Sequence, residues 1–330
     1  MLQNADDWPQ IANADNPRPA YRNPPSQDDV QRIIAYNWAL GPIVTEDTTR
    51  IASAIRRAHA RNENAPISGQ RCVLVTGRPL DGKTQGAAAF AMQESRQEWS
   101  APPAGRNERD LHAPWGYVEV EAGRGVAGVA RSTAAFLGMP VAARASASDI
   151  LTQLRNVMPQ VGMRGLIVDD AHGIIGSSNA ESRAFAGALK ALITGLPVTL
   201  VVVGVRLDES ALAGARGDEV RLRGEMVVCG DWPLPFRTRQ KAPGPWERLV
   251  ATLHQLLEIP GSDAKQGMAS RSFVSLLATA SDRRPGLAIE WVKAAAEWAV
   301  IQRRPLDNAA LQATADYAHA RITEAAQEAS

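Results

Sequence analysis

Cysteine is scarce in this 330-residue sequence, where only Cys72 and Cys229 occur. Each lies inside an apolar run, RCVLVTG or MVVCGDW, and the pair has no spacing that suits a metal ion. This scarcity excludes a disulfide framework. The apolar neighbours predict that both cysteines are small buried hydrophobic residues.

Long apolar runs and an excess of charge are also missing. No segment approaches the roughly 18 apolar residues of a membrane span, and the polar, proline-rich N-terminus does not have the pattern of a signal peptide. We therefore expect a cytoplasmic protein without membrane contact. The net charge of +1 argues neither for nor against nucleic acid, because acids elsewhere can cancel a basic face. A hydrophobic content of 45% predicts a large folded core.

The N-terminal part divides into an arm and two helices. Residues 1–28 are rich in Asn, Asp and Pro and bury too little apolar surface to offset their ordering entropy, so we expect a flexible arm. Apolar residues then recur at helical spacing, first at Val30 and Ile33 and again at Ile51 and Ile55. Two helices are expected here, the second starting near Thr45, a suitable N-cap.

Apolar strand runs alternate with helical segments in the middle of the chain, which predicts a parallel sheet covered on both faces, a doubly wound α/β fold. The expected strands are Cys72–Thr76, Tyr117–Val120, Gly165–Val168 and Val198–Gly204. The expected helices are Lys83–Glu98, Val126–Leu137, Ile150–Met158 and Ser182–Ile193.

From about Pro245 the strand runs stop and amphipathic helical segments follow, which predicts a small helical lid domain. A linker rich in proline and charge, PLPFRTRQKAPGPW, precedes it. We therefore predict a nucleotide-binding domain over 29–240 and a lid over 241–330. The expected lid helices are Trp246–Leu257, Ser272–Ala280, Ala288–Ile301 and Asn308–Ala326.

The segment VLVTGRPLDGKTQGAAAFAM contains the P-loop pattern GxxxxGK[ST] between an apolar strand and an alanine-rich helix. Its glycines let backbone N–H groups point at phosphates, and the helix N-terminus adds its positive dipole end. We expect Lys83 to bind the β- and γ-phosphates of ATP and Thr84 to ligate Mg²⁺. The predicted nucleotide-binding residues are Gly77, Arg78, Pro79, Leu80, Asp81, Gly82, Lys83, Thr84 and Gln85.

Two aspartates in GLIVDDAHG occupy the Walker-B position at the end of a predicted strand. We expect Asp169 to hold the magnesium ion and Asp170 to polarise the attacking water as general base. Asp170 is one methylene shorter than the Glu usual at this place, which predicts slow hydrolysis.

Taken together, the Walker A motif, the strand YVEVEAG, the phrase AAFLGMP, the sequence VDDAH and the strand LVVVGV resemble AAA+ ATPases of the TniB and TnsC type. The resemblance covers about Thr45 to Ala315. It implies a regulator of DNA transposition that forms ATP-dependent homo-oligomers, as a ring or a filament, on double-stranded DNA. It also implies that the protein recruits or activates a DDE transposase.

The resemblance carries over to single residues unevenly. It places an arginine finger, which would reach the γ-phosphate of a neighbouring subunit, at Arg221 or Arg223, although loop arginines are commonly just solvated. Val205 stands where a polar sensor is expected, which puts that sensor in doubt. Arg283 and Arg284 lie roughly where a second sensor would be.

Other residues keep two interpretations. His172 could report on the nucleotide, but a loop histidine is more often only hydrogen-bonded. Trp291 and Trp298 share a helical face and indicate core or a partner surface rather than a base-stacking platform. Arginines that could bind DNA phosphates, or simply form a solvated helix face, are Arg50, Arg56, Arg57, Arg61, Arg124 and Arg131.

Two functions of other classes stay open. One is a signalling or defence ATPase that gates a protein partner without DNA. The other is a nucleotide-binding module that hardly hydrolyses ATP.

Overall fold

The computed structural model describes residues 16–65, 70–100, 111–120, 125–171, 179–205, 207, 222–236, 242–261 and 263–328, without the side chains of 179–186 and 325–328. The described strands are β1 (Cys72–Thr76), β2 (Trp115–Glu119), β3 (Gly165–Asp169), β4 (Thr199–Gly204) and β5 (Gly224–Val228). The described helices are α1 (Gln27–Trp38), α2 (Glu46–Asn62), α3 (Lys83–Ser100), α4 (Gly125–Phe136), α5 (Ala147–Gln160), α6 (Asn179–Gly195), α7 (Pro245–Leu256), α8 (Arg271–Ala280), α9 (Pro285–Gln302), α10 (Asn308–Ala313) and α11 (Ala315–Glu328).

The strands form one parallel sheet in the order β2-β3-β4-β1-β5. β1 lies inside the sheet, where its first residue, Cys72, pairs with Leu200 of β4 and Gly224 of β5. Because all strands run in the same direction, their carboxyl ends share one edge of the sheet. The chain therefore leaves β1, β3 and β4 at neighbouring points on that edge.

The inner strands β1, β3 and β4 are buried at every position, and most of their residues are apolar. The edge strand β5 is only partly buried. Val73 and Val75 of β1 pack in a cluster with apolar residues of α2 and α3. Cys72 and Leu74, which point to the other face, pack with apolar residues of α4, α5 and α6. Helices on both faces confirm the predicted doubly wound α/β fold, and the burial of Cys72 and Cys229 confirms their predicted role as small core residues.

The predicted elements agree closely with the described ones. β1 has the predicted bounds. Each of the other three predicted strands begins and ends within two residues of its predicted bounds. The last predicted helix is instead broken into α10 and α11 at Thr314. The Thr314 hydroxyl donates to Ala310 O at 2.9 Å and accepts from Trp291 Nε1 at 3.1 Å. These side-chain bonds compete with the backbone ladder of the helix.

The contacts divide the described residues into two compact units. The first comprises Thr48–Gly77 and Lys83–Cys229, and the second comprises 16–47, Arg78–Gly82 and 230–328. This grouping differs from the predicted boundaries at 29 and 240. Ile33 of α1 and Trp232 belong to the apolar core of the helical unit, together with Trp246, Phe273 and Trp291.

Part of the predicted N-terminal arm is anchored within the helical unit at Glu258. The Tyr21 hydroxyl donates to Glu258 Oε1 at 2.7 Å, and Arg18 Nε lies 3.3 Å from Oε2. The Asn37 side chain donates to the Glu258 carbonyl at 2.9 Å and accepts from its N–H at 2.8 Å. These contacts offset the ordering entropy of residues 16–28, whereas residues 1–15 lie outside the described part of the chain.

A buried lysine holds the end of α1. Lys293 Nζ donates to the carbonyls of Trp38 and Leu40 at 3.2 and 3.0 Å. Burial lowers the pKa of Lys293, and the negative end of the helix dipole favours a cation at this place. Among the described residues, no helix combines the length and the hydropathy that a membrane crossing requires.

Candidate nucleotide-binding site

The loop that follows β1 is bounded by two glycines with unusual backbone conformations. Gly77 has a φ of 152° and Gly82 a φ of 85°, values that residues with side chains rarely adopt. α3 begins at Lys83, directly after the loop. Lys83 is buried, Thr84 is half-buried and Gln85 is exposed. The glycine curl and the helix N-terminus therefore adjoin as a phosphate-binding loop requires.

The interior of this loop closes on itself. Arg78 N donates to Asp81 Oδ2 at 2.7 Å, and Asp81 N donates back to Arg78 O at 3.3 Å. Pro79 and Leu80 lie between them, and Leu80 has a φ of 67°, in the left-handed region. The buried carboxylate of Asp81 thus stabilises the turn of the loop.

The two predicted Walker-B aspartates lie at the carboxyl end of β3. Asp169 is 3% exposed, and its carboxylate has two described donors. The Tyr117 hydroxyl donates to Oδ2 at 2.7 Å and Asp170 N donates to Oδ1 at 2.8 Å. Asp170 itself is exposed and has a φ of 54°. Asp169 is therefore oriented by its neighbours, while the Asp170 side chain is accessible to solvent.

Two residues of β2 were missed by the sequence analysis. Tyr117 supplies the donor to Asp169, and Glu119 pairs in register with Asp169. Partial burial raises the pKa of Glu119, and the charges of Asp170 and Asp169 raise it further. Burial raises the pKa of Tyr117, as do the Asp169 charge and hydrogen bond, so its hydroxyl stays a donor. The alternation in YVEVE, which puts both side chains on one face, was the available signal.

The carboxyl end of β1 is bonded to the segments that follow β4 and β5. Leu207 N donates to Thr76 Oγ1 at 3.0 Å, and Cys229 N donates to Thr76 O at 2.8 Å. Val205, at the expected place of a polar sensor, directly follows β4 and offers no polar side-chain atom. Arg206 lies outside the described residues.

Of the two candidate arginine-finger residues, the structure describes Arg223. Arg221 lies outside the described residues. Arg223 directly precedes β5, whose first residue pairs with Cys72, so it lies at the amino-terminal edge of the sheet. Its Nη1 is buried and has no hydrogen-bond partner in the described part of the chain. Arg223 thus lies at the sheet edge opposite the one that carries the Walker residues.

Three of the arginines considered for DNA contact are engaged within the chain. Arg56 and Arg57 pair with the carboxylates of Glu94 and Glu225. Arg131 donates to three backbone carbonyls of the loop 142–145. Arg131 therefore has a structural role. Exposed ion pairs contribute little to stability, so Arg56 and Arg57 could exchange their partners for phosphates.

The remaining candidates are exposed, buried in the core or outside the described residues. Arg50 and Arg61 are exposed on α2, whereas Arg124 and His172 lie outside the described residues. Trp291 is 1% exposed, which confirms its interpretation as a core residue.

The side chains fit a nucleotide bound with magnesium. In the described residues no group of three or more His, Cys, Asp or Glu could hold a metal by itself. Magnesium commonly takes one or two protein ligands and completes its shell with phosphate oxygens and water. Thr84 and Asp169 carry oxygen atoms of the kind that magnesium takes as ligands, and the buried Lys83 carries a positive charge that suits phosphates.

Sequence comparison identifies the family of this chain. A family model described as "Bacterial TniB protein" matches residues 44–223 of the chain. No curated protein matches it.

Two solved structures share the fold. Cdc6p from Pyrobaculum aerophilum is 13% identical, with a TM-score of 0.51 over 81% of this chain and 65% of that one. Drosophila ORC bound to DNA is 14% identical, with a TM-score of 0.52 over 91% of this chain and 68% of that one. The chain thus spans about two thirds of the length of either structure. At these identities the likeness establishes the fold alone.

Proposed function

The chain belongs to the TniB family, and we propose that it is an ATP-dependent regulator of DNA transposition. In the proposal it binds ATP with magnesium, assembles as a homo-oligomer on double-stranded DNA, and recruits or activates a DDE transposase. The observation that carries the proposal is the pairing of a complete phosphate-binding loop with an oriented Walker-B carboxylate in a member of this family. The likeness to a protein solved on DNA, Drosophila ORC, supports a DNA partner.

Each residue of the site has a defined task in this proposal. The loop from Gly77 to Gly82 and the first N–H groups of α3 cradle the phosphates, and the Lys83 ammonium binds the β- and γ-phosphates. Thr84 and Asp169 hold the magnesium ion, which neutralises charge on the phosphate oxygens when bound. Asp170, exposed beside them, takes the proton of the attacking water.

Completion of the site by a neighbouring subunit would link hydrolysis to assembly. An arginine that reaches the γ-phosphate from the next subunit stabilises the charge that develops during hydrolysis. Arg221 and Arg223 remain the proposed residues for this contact. Hydrolysis of the bound ATP would then require assembly, because the site is incomplete in a single subunit.

Assembly is the direct test of the proposed function. Sedimentation velocity with ATP, magnesium and duplex DNA is expected to give a large complex, and omission of ATP should return the monomer. Because DNA contacts act through phosphates, higher salt should weaken the complex steeply. A monomer in the presence of all three components would refute the proposal. ATP binding without any DNA binding would favour an ATPase that gates a protein partner.

Tyr117→Phe tests how the magnesium carboxylate is oriented. The change removes one hydroxyl, and with it the 2.7 Å hydrogen bond to Asp169 Oδ2. Loss of such a supporting bond typically weakens metal binding by about 10-fold or more. We therefore expect the Mg²⁺ concentration that supports half-maximal ATP hydrolysis to rise by about that factor. ATP binding measured in EDTA should not change.

Tyr36→Phe is the matched control for this prediction. It also removes a tyrosine hydroxyl with a single acceptor, Leu256 O at 3.1 Å, but in the helical unit. It should leave the Mg²⁺ dependence unchanged. An equal response of both variants would show that Tyr117 only supports folding.

A further inference from the structure

The phosphate-binding loop is contacted by the segment that leads into α9, which we call the α9 turn (Ser281–Leu287). Leu287 N donates to Leu80 O at 3.3 Å. A Cβ on Gly286 would lie 2.4 Å from the same oxygen and 3.1 Å from the carbonyl carbon of Leu80. These neighbours are backbone atoms, so a side chain at 286 fits only if the loop and the turn separate. Both segments belong to the helical unit.

Side chains add a second contact between the same two segments. Arg78 Nη1 lies 3.2 Å from Asp282 Oδ2, and Arg78 Nη2 donates to Asp282 O at 3.1 Å. Arg284 Nε donates to the same Oδ2 at 3.3 Å. One carboxylate therefore joins an arginine of the loop to the N-cap residue of α9.

The backbone conformation of Leu80 depends on these contacts between the loop and the α9 turn. Its φ of 67° lies in the left-handed region, which is unfavourable for a residue with a side chain. Conformations of this kind persist where the surroundings impose them. Leu287 and Gly286 contact the Leu80 carbonyl directly, and Arg78 anchors the residues that precede it.

We propose that the α9 turn sets the conformation of the phosphate-binding loop, with Gly286 and Asp282 as positioning residues for nucleotide binding. The inference rests on the proposed binding of ATP and adds a determinant of its affinity. Gly286 acts through the Leu80 carbonyl and Asp282 acts through Arg78. Nucleotide affinity then depends on a turn that lies 204 residues further along the chain.

Gly286→Ala separates this positioning role from a role in folding. Gly286 is the second residue of α9, where alanine favours the helix, so the change should not lower the stability of α9. The added Cβ must displace the Leu80 carbonyl, and we expect the Kd for a fluorescent ATP analogue with Mg²⁺ to rise by about 10-fold. Because the displaced atoms belong to the backbone, thermal unfolding without nucleotide should move to a lower temperature, and the Kd is measured well below that transition, where the variant is folded.

Gly41→Ala is the matched control in the same unit. A Cβ at Gly41 meets no atom within 4 Å, so the Kd of this variant should equal that of the unchanged protein.

A milder set of variants tests the side-chain contact. Asp282 has a φ of 51°, a left-handed conformation that asparagine also tolerates, so Asp282→Asn changes only the side chain. Arg78→Gln removes the guanidinium. Each should raise the Kd by about 2- to 5-fold, because the pair is partly exposed and screened. The Kd of the double variant should not exceed the higher of the two single-variant Kd values, because both substitutions remove the same Arg78–Asp282 contact. Glu290→Gln, which breaks the comparable Arg321–Glu290 pair at 3.1 Å, is the control.

The outcomes distinguish the inference from the proposed function. If the unchanged protein does not bind the ATP analogue, the proposed function fails and the positioning role fails with it. If it binds, and Gly286→Ala binds equally well while the Arg78 and Asp282 effects simply add, the positioning role alone is overturned.

Discussion

Lys83→Ala is expected to raise the Kd for ATP by at least about 100-fold. The Lys83 side chain is 7% exposed, at the first position of α3 and directly after the glycine loop. A hydrogen bond to a charged group contributes about 1.5–3 kcal/mol, and in the proposed function Lys83 binds two phosphates. A tenfold change in affinity corresponds to about 1.4 kcal/mol, so the loss of both bonds exceeds 100-fold. Titration with a fluorescent ATP analogue in Mg²⁺ measures it.

Two companion variants make this result specific. Lys83→Met keeps most of the buried side-chain volume and removes only the charge, so it should lose affinity to a similar extent. Arg96→Ala removes an exposed cation from the same helix and should not change the Kd. Affinity within a few-fold of normal in both Lys83 variants would refute phosphate binding by this lysine.

Asp170→Asn is expected to lower the rate of ATP hydrolysis by about 100-fold or more, because general-base catalysis contributes at least that factor. The substitution is conservative for the backbone, since asparagine also tolerates the left-handed φ of 54° found here. The side chain is exposed, so folding should not suffer. ATP binding should stay within about threefold of normal, because the site retains Lys83 for the phosphates. Steady-state turnover and equilibrium binding together test this.

The neighbouring carboxylates provide the decisive comparison. Glu119 lies on the adjacent strand, and its pKa is raised partly by the charge of Asp170. If Asp170→Asn left turnover intact while Glu119→Gln abolished it, the general base would be Glu119. Asp28→Asn removes an exposed carboxylate from α1 and should alter neither turnover nor binding.

The sheet could be predicted because its inner strands are short, continuous apolar runs in the sequence. β1 is five consecutive apolar or small residues bounded by the P-loop, and all five are buried in the structure. Such a run suits a strand covered on both faces, which is why its bounds were predicted correctly. The bounds of α5 were less exact, because its capping box at Ser146 and Asp149 lies outside the apolar pattern used to find the helix.

The candidate site was predicted only in part. Lys83 and Thr84 follow from a contiguous motif whose residue types and spacing already specify the chemistry. Tyr117 was missed because its partner, Asp169, lies 52 residues away in the chain. No local pattern distinguishes a strand tyrosine that binds a carboxylate from one that only packs.

The sequence by itself determined the class of fold and predicted the phosphate-binding loop and the Walker-B pair, because each depends on residues that are adjacent or periodic in the chain. Only the tertiary structure shows which residues orient Asp169 and where α1 packs. It also shows that position 286 has no room for a Cβ. These depend on close approaches between segments that are remote in sequence, such as the Leu80 carbonyl and the start of α9. Packing creates such contacts, and it leaves no trace in the spacing of neighbouring residues.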